Sequence, residues 1–88
     1  MTWELHLAAC QSLKDKRQIL QSLKTRLHNA FNVSAAETAH QDLWQRAEIT
    51  VCVVSTDRRH AADVLRQADR LVEAAPGARI MDTSTSYL

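Results

Sequence analysis

The sequence predicts one α+β domain, residues 1–88, with the element order βαββαβ. Two stretches repeat apolar residues with the spacing of an amphipathic helix, and four others alternate apolar and polar residues as half-buried strands do. A chain of 88 residues can bury one modest core. Its 45% hydrophobic and 24% charged residues, with one Gly and one Pro, are typical of a globular protein.

The longest helical pattern covers residues 12–31. Ser12 can cap its first turn, with Asp15 as a capping-box-like partner. The apolar residues fall within an arc of roughly 120°, the width expected of a helix buried on one side. They are Leu13, Ile19, Leu20, Leu23, Leu27, Ala30 and Phe31. We expect the helix to end at residues 29–32, where asparagine tolerates a left-handed cap conformation.

The same helix carries a flank of one charge sign beside its apolar arc. Its members are Lys14, Arg17, Gln21, Lys24 and His28, with no acid among them. Lys16 projects into the arc near the helix end, where we expect its stem to pack and its ammonium to stay in water. Such a flank is either a solvated surface or a docking stripe for phosphates or an acidic partner. The net charge is only +1, so nucleic-acid binding would depend on local charge.

Four strands and a second helix complete the predicted order. The strands cover residues 2–8, 31–38, 46–55 and 78–87. A cap within residues 55–57 starts the second helix, and Pro76–Gly77 stops it. Each helix has one apolar stripe, so both must cover the same face of one sheet. Right-handed crossovers then favour an antiparallel sheet of order 4-1-3-2, the ferredoxin-like arrangement.

The other face of this sheet is predicted to be open, small and semi-apolar. Its expected members are Glu4, His6, Ser34, Ala36, Thr50, Cys52, Val54 and Met81. Such a surface commonly meets a partner, so we expect a symmetric homodimer. Trp44, before the third strand, either closes the end of the core or anchors an interface. His6, Trp44 and Cys52 are the candidate interface residues.

Several chemistries lack their motifs. The first loop has no Cys-x-x-Cys for a metal and no glycine for a phosphate cradle, and residues 46–55 have no aromatic for base stacking. We therefore predict no catalytic residue, metal, cofactor or small-molecule substrate. Two constellations keep an enzyme as the remote alternative: His6 with Cys52, and His40 with Asp42. Two cysteines without a secretory or membrane-spanning segment favour a reducing cytoplasm.

Three motifs carry a family resemblance. They are residues 12–17 (SLKDKR), 31–34 (FNVS) and 40–47 (HQDLWQRA). With these motifs the chain resembles the bacterial YlxP-like family, a domain-of-unknown-function family, over essentially its whole length. The resemblance implies a ferredoxin-like fold and a cytoplasmic bacterial protein. The family's genes often lie beside those for transcription, translation initiation and ribosome maturation, which implies a role near RNA or the ribosome.

Two hypotheses follow for function. The first is a non-enzymatic RNA- or ribosome-associated accessory factor that binds through Lys14, Arg17 and Lys24, extended by Lys16 and Arg46. The second is a protein-interaction or oligomeric module that uses the open sheet face and Trp44.

Overall fold

The computed structural model describes residues Met1–Leu88 and has the predicted element order. The elements are β1 Thr2–His6, α1 Leu13–Ala30, β2 Ser34–Ala39, β3 Arg46–Cys52, α2 Arg58–Glu73 and β4 Arg79–Ser84. Each strand is found where the alternation predicts it and is shorter than predicted, although β2 ends at Ala39, one residue beyond its predicted range. Neither helix has the length and apolar character needed to cross a membrane.

The four strands form one sheet of order β2-β3-β1-β4, in which every neighbouring pair is antiparallel. This is the predicted order 4-1-3-2 counted from the opposite edge, so the predicted fold is confirmed. The central strands are β3 and β1, while β2 and β4 form the edges.

The core lies between one face of the sheet and the two helices. Its central residues are Trp3, Leu5, Leu7, Ala47, Ile49, Val51, Leu20, Leu23, Leu27, Leu65, Ala68 and Val72. They are the inward positions of the two central strands and the apolar arcs of both helices, as the period-2 and period-3.6 patterns require. The opposite face of the sheet is not covered by any helix, which leaves it available to solvent or a partner.

The start of α1 follows its predicted cap, and the helix ends at Ala30, within the predicted range 29–32, but with a different cap. Ser12 Oγ accepts a hydrogen bond from Asp15 N at 3.1 Å, and Asp15 Oδ2 accepts one from Gln11 N at 3.1 Å. The expected left-handed asparagine cap is wrong, because the cap residue is Phe31 with φ −139°. The chain passes almost directly from α1 into β2, so it leaves the helix in an extended conformation.

The end of α2 is confirmed at Glu73, shortly before Pro76–Gly77. Gly77 has φ +80°, a left-handed conformation that side chains rarely adopt. A Cβ at this position would lie 3.2 Å from Ile19 Cδ1. Glycine therefore allows both the turn and the close approach of the loop to α1.

Candidate nucleic-acid interface

The basic flank of α1, defined here as Lys14, Arg17 and Lys24, is present on the helix surface. Lys14 and Arg17 are exposed, and Lys24 is half-buried. None of the three lies within ion-pair distance of a carboxylate, since all four ion pairs in the structure involve other residues. Their charges are consequently available to an external anion.

A shallow depression of about 480 Å³ runs along the exposed side of α1. Its lining residues are Arg17, Gln18, Gln21, Ser22, Thr25 and Arg26. It holds no acid, and its amides, hydroxyls and guanidinium groups can donate hydrogen bonds to phosphate oxygens. Arg17 and Gln21 belong to the predicted flank, whereas the other four lining residues were not predicted as part of this surface. The helical periodicity could have identified this surface, because all six residues lie outside the apolar arc.

Lys16 does not belong to this surface, and the prediction that its ammonium stays in water is wrong. Its side chain is 2% exposed, and Nζ lies 2.6 Å from Glu37 Oε2 on β2. Nζ also donates to the His40 carbonyl at 2.5 Å. The contact with Glu37 is a close ion pair rather than an aligned hydrogen bond, because Oε2 has no aligned donor. Lys16 is therefore a structural residue that ties α1 to β2.

Arg46 does not extend the basic flank either. It begins β3 on the open face of the sheet, whereas α1 covers the opposite face. Its Nη2 donates to Glu4 Oε2 at 3.3 Å, and its side chain is 56% exposed. Arg46 could act with the flank only if a ligand reached around the end of the sheet.

The His40 side chain contacts Glu4 on β1 and not Asp42. Its ring nitrogen Nε2 lies 2.9 Å from Glu4 Oε1, and its carbonyl accepts from Leu43 N at 3.0 Å. The residue adopts φ 64°, the left-handed conformation of a tight turn. The His40/Asp42 constellation considered for an enzyme is thus not assembled.

The Glu4 carboxylate contacts both His40 and Arg46, and both contacts affect its pKa. The pKa of Glu4 is lowered from its ordinary value of 4.5, chiefly because His40 hydrogen-bonds the carboxylate. Partial burial opposes this shift, and the hydrogen bond with Arg46 adds to it. The folded protein therefore favours the carboxylate form more than the unfolded chain does.

This shift predicts an acid-dependent loss of stability that Glu4→Gln reduces. A lowered folded pKa contributes stability that is fully present above the unfolded value of 4.5 and is lost as the pH falls through the folded pKa. Urea unfolding measured between about pH 6 and pH 3 should show a shallower decline for Glu4→Gln than for the wild type. Glu73→Gln is the matched control, because Glu73 makes no ion pair. Equal declines in the wild type and Glu4→Gln would contradict the prediction.

The open face of the sheet carries more charged and hydroxyl side chains than its predicted small, semi-apolar character suggests, although the exposed Ala36 and Cys52 also lie on it. The strand registers place side chains of β3, β1 and β4 in three rows of different chemistry. The rows are Arg46, His6 and Arg79; Glu48, Glu4 and Asp82; and Thr50, Thr2 and Ser84. No group of three or more His, Cys, Asp or Glu side chains in the protein is arranged to hold a metal.

Hydroxyl contacts continue across this face into β2. Thr50 Oγ1 lies 3.0 Å from Thr2 Oγ1 and 2.8 Å from Thr38 Oγ1. Thr38 also donates to Glu48 Oε1 at 2.6 Å. These hydroxyl contacts link β1, β3 and β2 across the open face, and the homodimer stays a prediction.

His6 and Cys52 lie at opposite ends of the open face and do not form a pair. His6 is in register with Arg46 at the start of β3, and Cys52 ends that strand. The separation along the strand is about 20 Å at roughly 3.3 Å per residue. Burial raises the pKa of the other thiol, that of Cys10, so Cys10 is not an activated nucleophile.

Trp44 is half exposed, at 50%, and the neighbouring Leu43 is 45% exposed. The interpretation of Trp44 as a residue that closes the core is wrong, because the core is complete without it. The two side chains line a cleft of about 540 Å³ at the end of the sheet. The role of Trp44 as an interface anchor stays a prediction.

The fold and this surface define a class of protein: a small ferredoxin-like α+β domain whose first helix has an acid-free basic flank. Residues 1–85 match the model of a family described as "Protein of unknown function (DUF503)". The chain belongs to the DUF503 family. It is similar to the uncharacterized protein YlxP of Bacillus subtilis (strain 168), with 34% identity over 76 residues, which are 86% of this chain and 83% of that protein. The predicted YlxP-like membership is confirmed.

Proposed function

We propose that this protein is a non-enzymatic accessory factor that associates with RNA, free or within the ribosome, through the basic flank of α1. The observation that carries the proposal is the set of three cations, Lys14, Arg17 and Lys24, without a carboxylate partner. Phosphate contacts from such groups supply most of the sequence-independent affinity for nucleic acids. The acid-free depression beside them adds further donors.

The acidic charge on the open face of the sheet favours α1, on the opposite face, as the side that binds RNA. The row of Glu48, Glu4 and Asp82 crosses the middle of the open face. A phosphate chain laid across these carboxylates would meet like charge. The face also lacks the aromatic residues with which an RNA-recognition sheet stacks bases.

Three phosphate contacts set the expected salt dependence. The slope of log K against log salt should be about −2 for a single strand and about −3 for a duplex. Raising the salt from about 50 to 200 mM should then weaken binding roughly 20- to 40-fold. Fluorescence anisotropy with a labelled single-stranded RNA and a labelled RNA hairpin measures both slopes.

Charge reversal tests the location of the site. Arg17→Glu combined with Lys24→Glu should abolish RNA binding, because it replaces two phosphate contacts by repulsion. The matched control is Arg59→Glu with Arg70→Glu on α2, which changes the net charge equally and also alters two exposed cations without ion pairs. Unchanged affinity in the α1 variant, or an equal loss in the α2 variant, would remove the proposal.

A cytoplasmic location is part of the same proposal. Cys10 and Cys52 are both free thiols, and Cys52 is exposed. A reducing compartment would keep the exposed thiol from oxidation. Fractionation of cells with an antibody to the protein tests the location.

A second candidate is a protein-interaction module or homodimer that uses Leu43 and Trp44. The half-exposed indole favours it, since tryptophan is enriched in binding hot spots. Size-exclusion chromatography with light scattering should then give the mass of a dimer, and Trp44→Ala should convert it to a monomer. A wild-type monomer that captures no partner would count against this candidate.

A further inference from the structure

A basic row lies at the end of the open sheet face. His6 is in register with Arg46 on one side and with Arg79 on the other. Directly opposed residues on neighbouring strands have Cβ atoms about 4.5–5.5 Å apart, so the three side chains are neighbours. Two guanidinium groups and an imidazole thus meet at one edge. Arg46 already pairs with Glu4 through Nη2 at 3.3 Å, so an anion would be held by its other N–H groups together with His6 and Arg79.

The cleft at Trp44 opens at the same edge. It is lined by His6, Asp42, Leu43, Trp44, Gln45 and Arg46. His6 and Arg46 therefore belong both to the basic row and to the cleft. An anion held by the row would lie beside the half-exposed indole.

The loop that carries Trp44 is fixed in place. Gln45 Nε2 donates to the carbonyls of Ala8 and Cys10, at 3.2 Å each, and the Gln45 carbonyl accepts from Leu7 N at 2.9 Å. These bonds tie the loop to the segment between β1 and α1. A ligand that uses the indole would not have to order this loop, which lowers the entropic cost of binding.

We propose that this cleft binds one nucleotide of single-stranded RNA, with its base against the Trp44 indole and its phosphate on Arg46 and Arg79. The inference rests on the proposed RNA association and adds a base-contacting subsite to it. A half-exposed aromatic ring beside cationic side chains is the combination with which proteins hold single-stranded nucleic acids. Asp42, the one acid in the cleft, can accept a hydrogen bond from the N–H groups of a base edge.

The size of the apolar surface favours a nucleotide over a protein partner. Leu43 and Trp44 are the only hydrophobic residues of the cleft. A stable protein interface buries about 800 Å² on each partner, which two half-exposed side chains do not approach. Stacking one base needs only one ring. The acidic row of Glu48, Glu4 and Asp82 behind the basic row keeps the phosphate chain from continuing along the sheet.

The two tryptophans of the chain make the test direct. Trp3 is fully buried, whereas Trp44 is half exposed, so only Trp44 can be quenched by a stacked base. A short single-stranded RNA should quench the tryptophan fluorescence, and an abasic strand with the same number of phosphates should not. Trp44→Leu should abolish the quenching and weaken binding roughly 5- to 140-fold, the range of one stacking contact. Trp44→Phe, which keeps a ring, should retain most of the affinity.

The failures of the two proposals can be told apart. If Arg17→Glu with Lys24→Glu lowers RNA affinity but Trp44→Leu binds like the wild type and no quenching occurs, the nucleotide subsite is overturned and the RNA association stands. If the wild type binds no RNA, both are overturned. Trp44→Leu that binds RNA normally but loses self-association would assign the cleft to a protein partner and overturn the subsite. Urea unfolding of each variant verifies that it is folded.

Discussion

Glu37→Ala is expected to lower the free energy of unfolding by about 3–5 kcal/mol, because it leaves a buried ammonium without its counter-charge. Lys16 is 2% exposed at the side chain and Glu37 is 21% exposed. After the substitution only the His40 carbonyl would remain as an acceptor for Nζ. Urea unfolding monitored by circular dichroism measures the loss.

The different exposures of the two partners make the effect asymmetric. Lys16→Met should cost less than Glu37→Ala, since the Glu37 side chain, at 21% exposure, is less buried than that of Lys16, at 2%, although its Oε2 atom is itself buried. The double variant Lys16→Met with Glu37→Leu should return to within about 1 kcal/mol of the wild type, because no buried charge remains. The exposed pair of Arg66 with Asp63 is the control, and Asp63→Ala should cause no measurable change. A Glu37→Ala variant as stable as the wild type would show that Lys16 is solvated in the folded protein.

The buried pair of Lys16 and Glu37 is a contact that the sequence pattern could not predict. The helical arc correctly placed Lys16 among apolar residues, yet the expectation that its ammonium escapes to water was wrong. Its partner is supplied by another element, since Glu37 lies on the inward side of β2 with Val33 and Ala35. The period-2 pattern of residues 31–38 already places residue 37 on the inward side. Only the packing of α1 on β2 shows that the two charges meet.

Register along a strand is a second limit. Alternation identified the face on which His6 and Cys52 lie, and from that face alone their approach was conceivable. Alternation gives the side of the sheet but no position along it, so the opposite ends of the open face could not be distinguished. The same register brings Arg46, His6 and Arg79 together. Because the register was unknown, the sequence could neither predict the basic row nor exclude a Cys–His pair.

The fold itself followed from the sequence because its patterns are local and agree with one another. Trp3, Leu5 and Leu7 alternate with polar residues, and all three are buried. Two helices with one apolar stripe each can only cover one face of the sheet. The loop before β3 gave no such constraint, since its backbone is fixed by Gln45 and His40 through contacts distant in the sequence.

Trp3→Ala is expected to lower the free energy of unfolding by about 3–5 kcal/mol, comparable with the whole stability of a small domain. Trp3 is fully buried at the centre of the core. Its indole Nε1 donates to Asp69 Oδ1 on α2 at 2.8 Å. The side chain thus both fills the core and fastens the second helix to the central strand β1.

The hydrogen bond can be separated from the packing by a double-mutant cycle of Trp3→Phe and Asp69→Ala. A hydrogen bond to a charged acceptor contributes about 1.5–3 kcal/mol, so the two substitutions together should cost less than the sum of their separate costs by about that amount. Urea unfolding of the four proteins gives the coupling energy. Costs that add to within about 0.5 kcal/mol would mean that Trp3 stabilises the domain by packing alone and that α2 is held by its apolar stripe without help from Asp69.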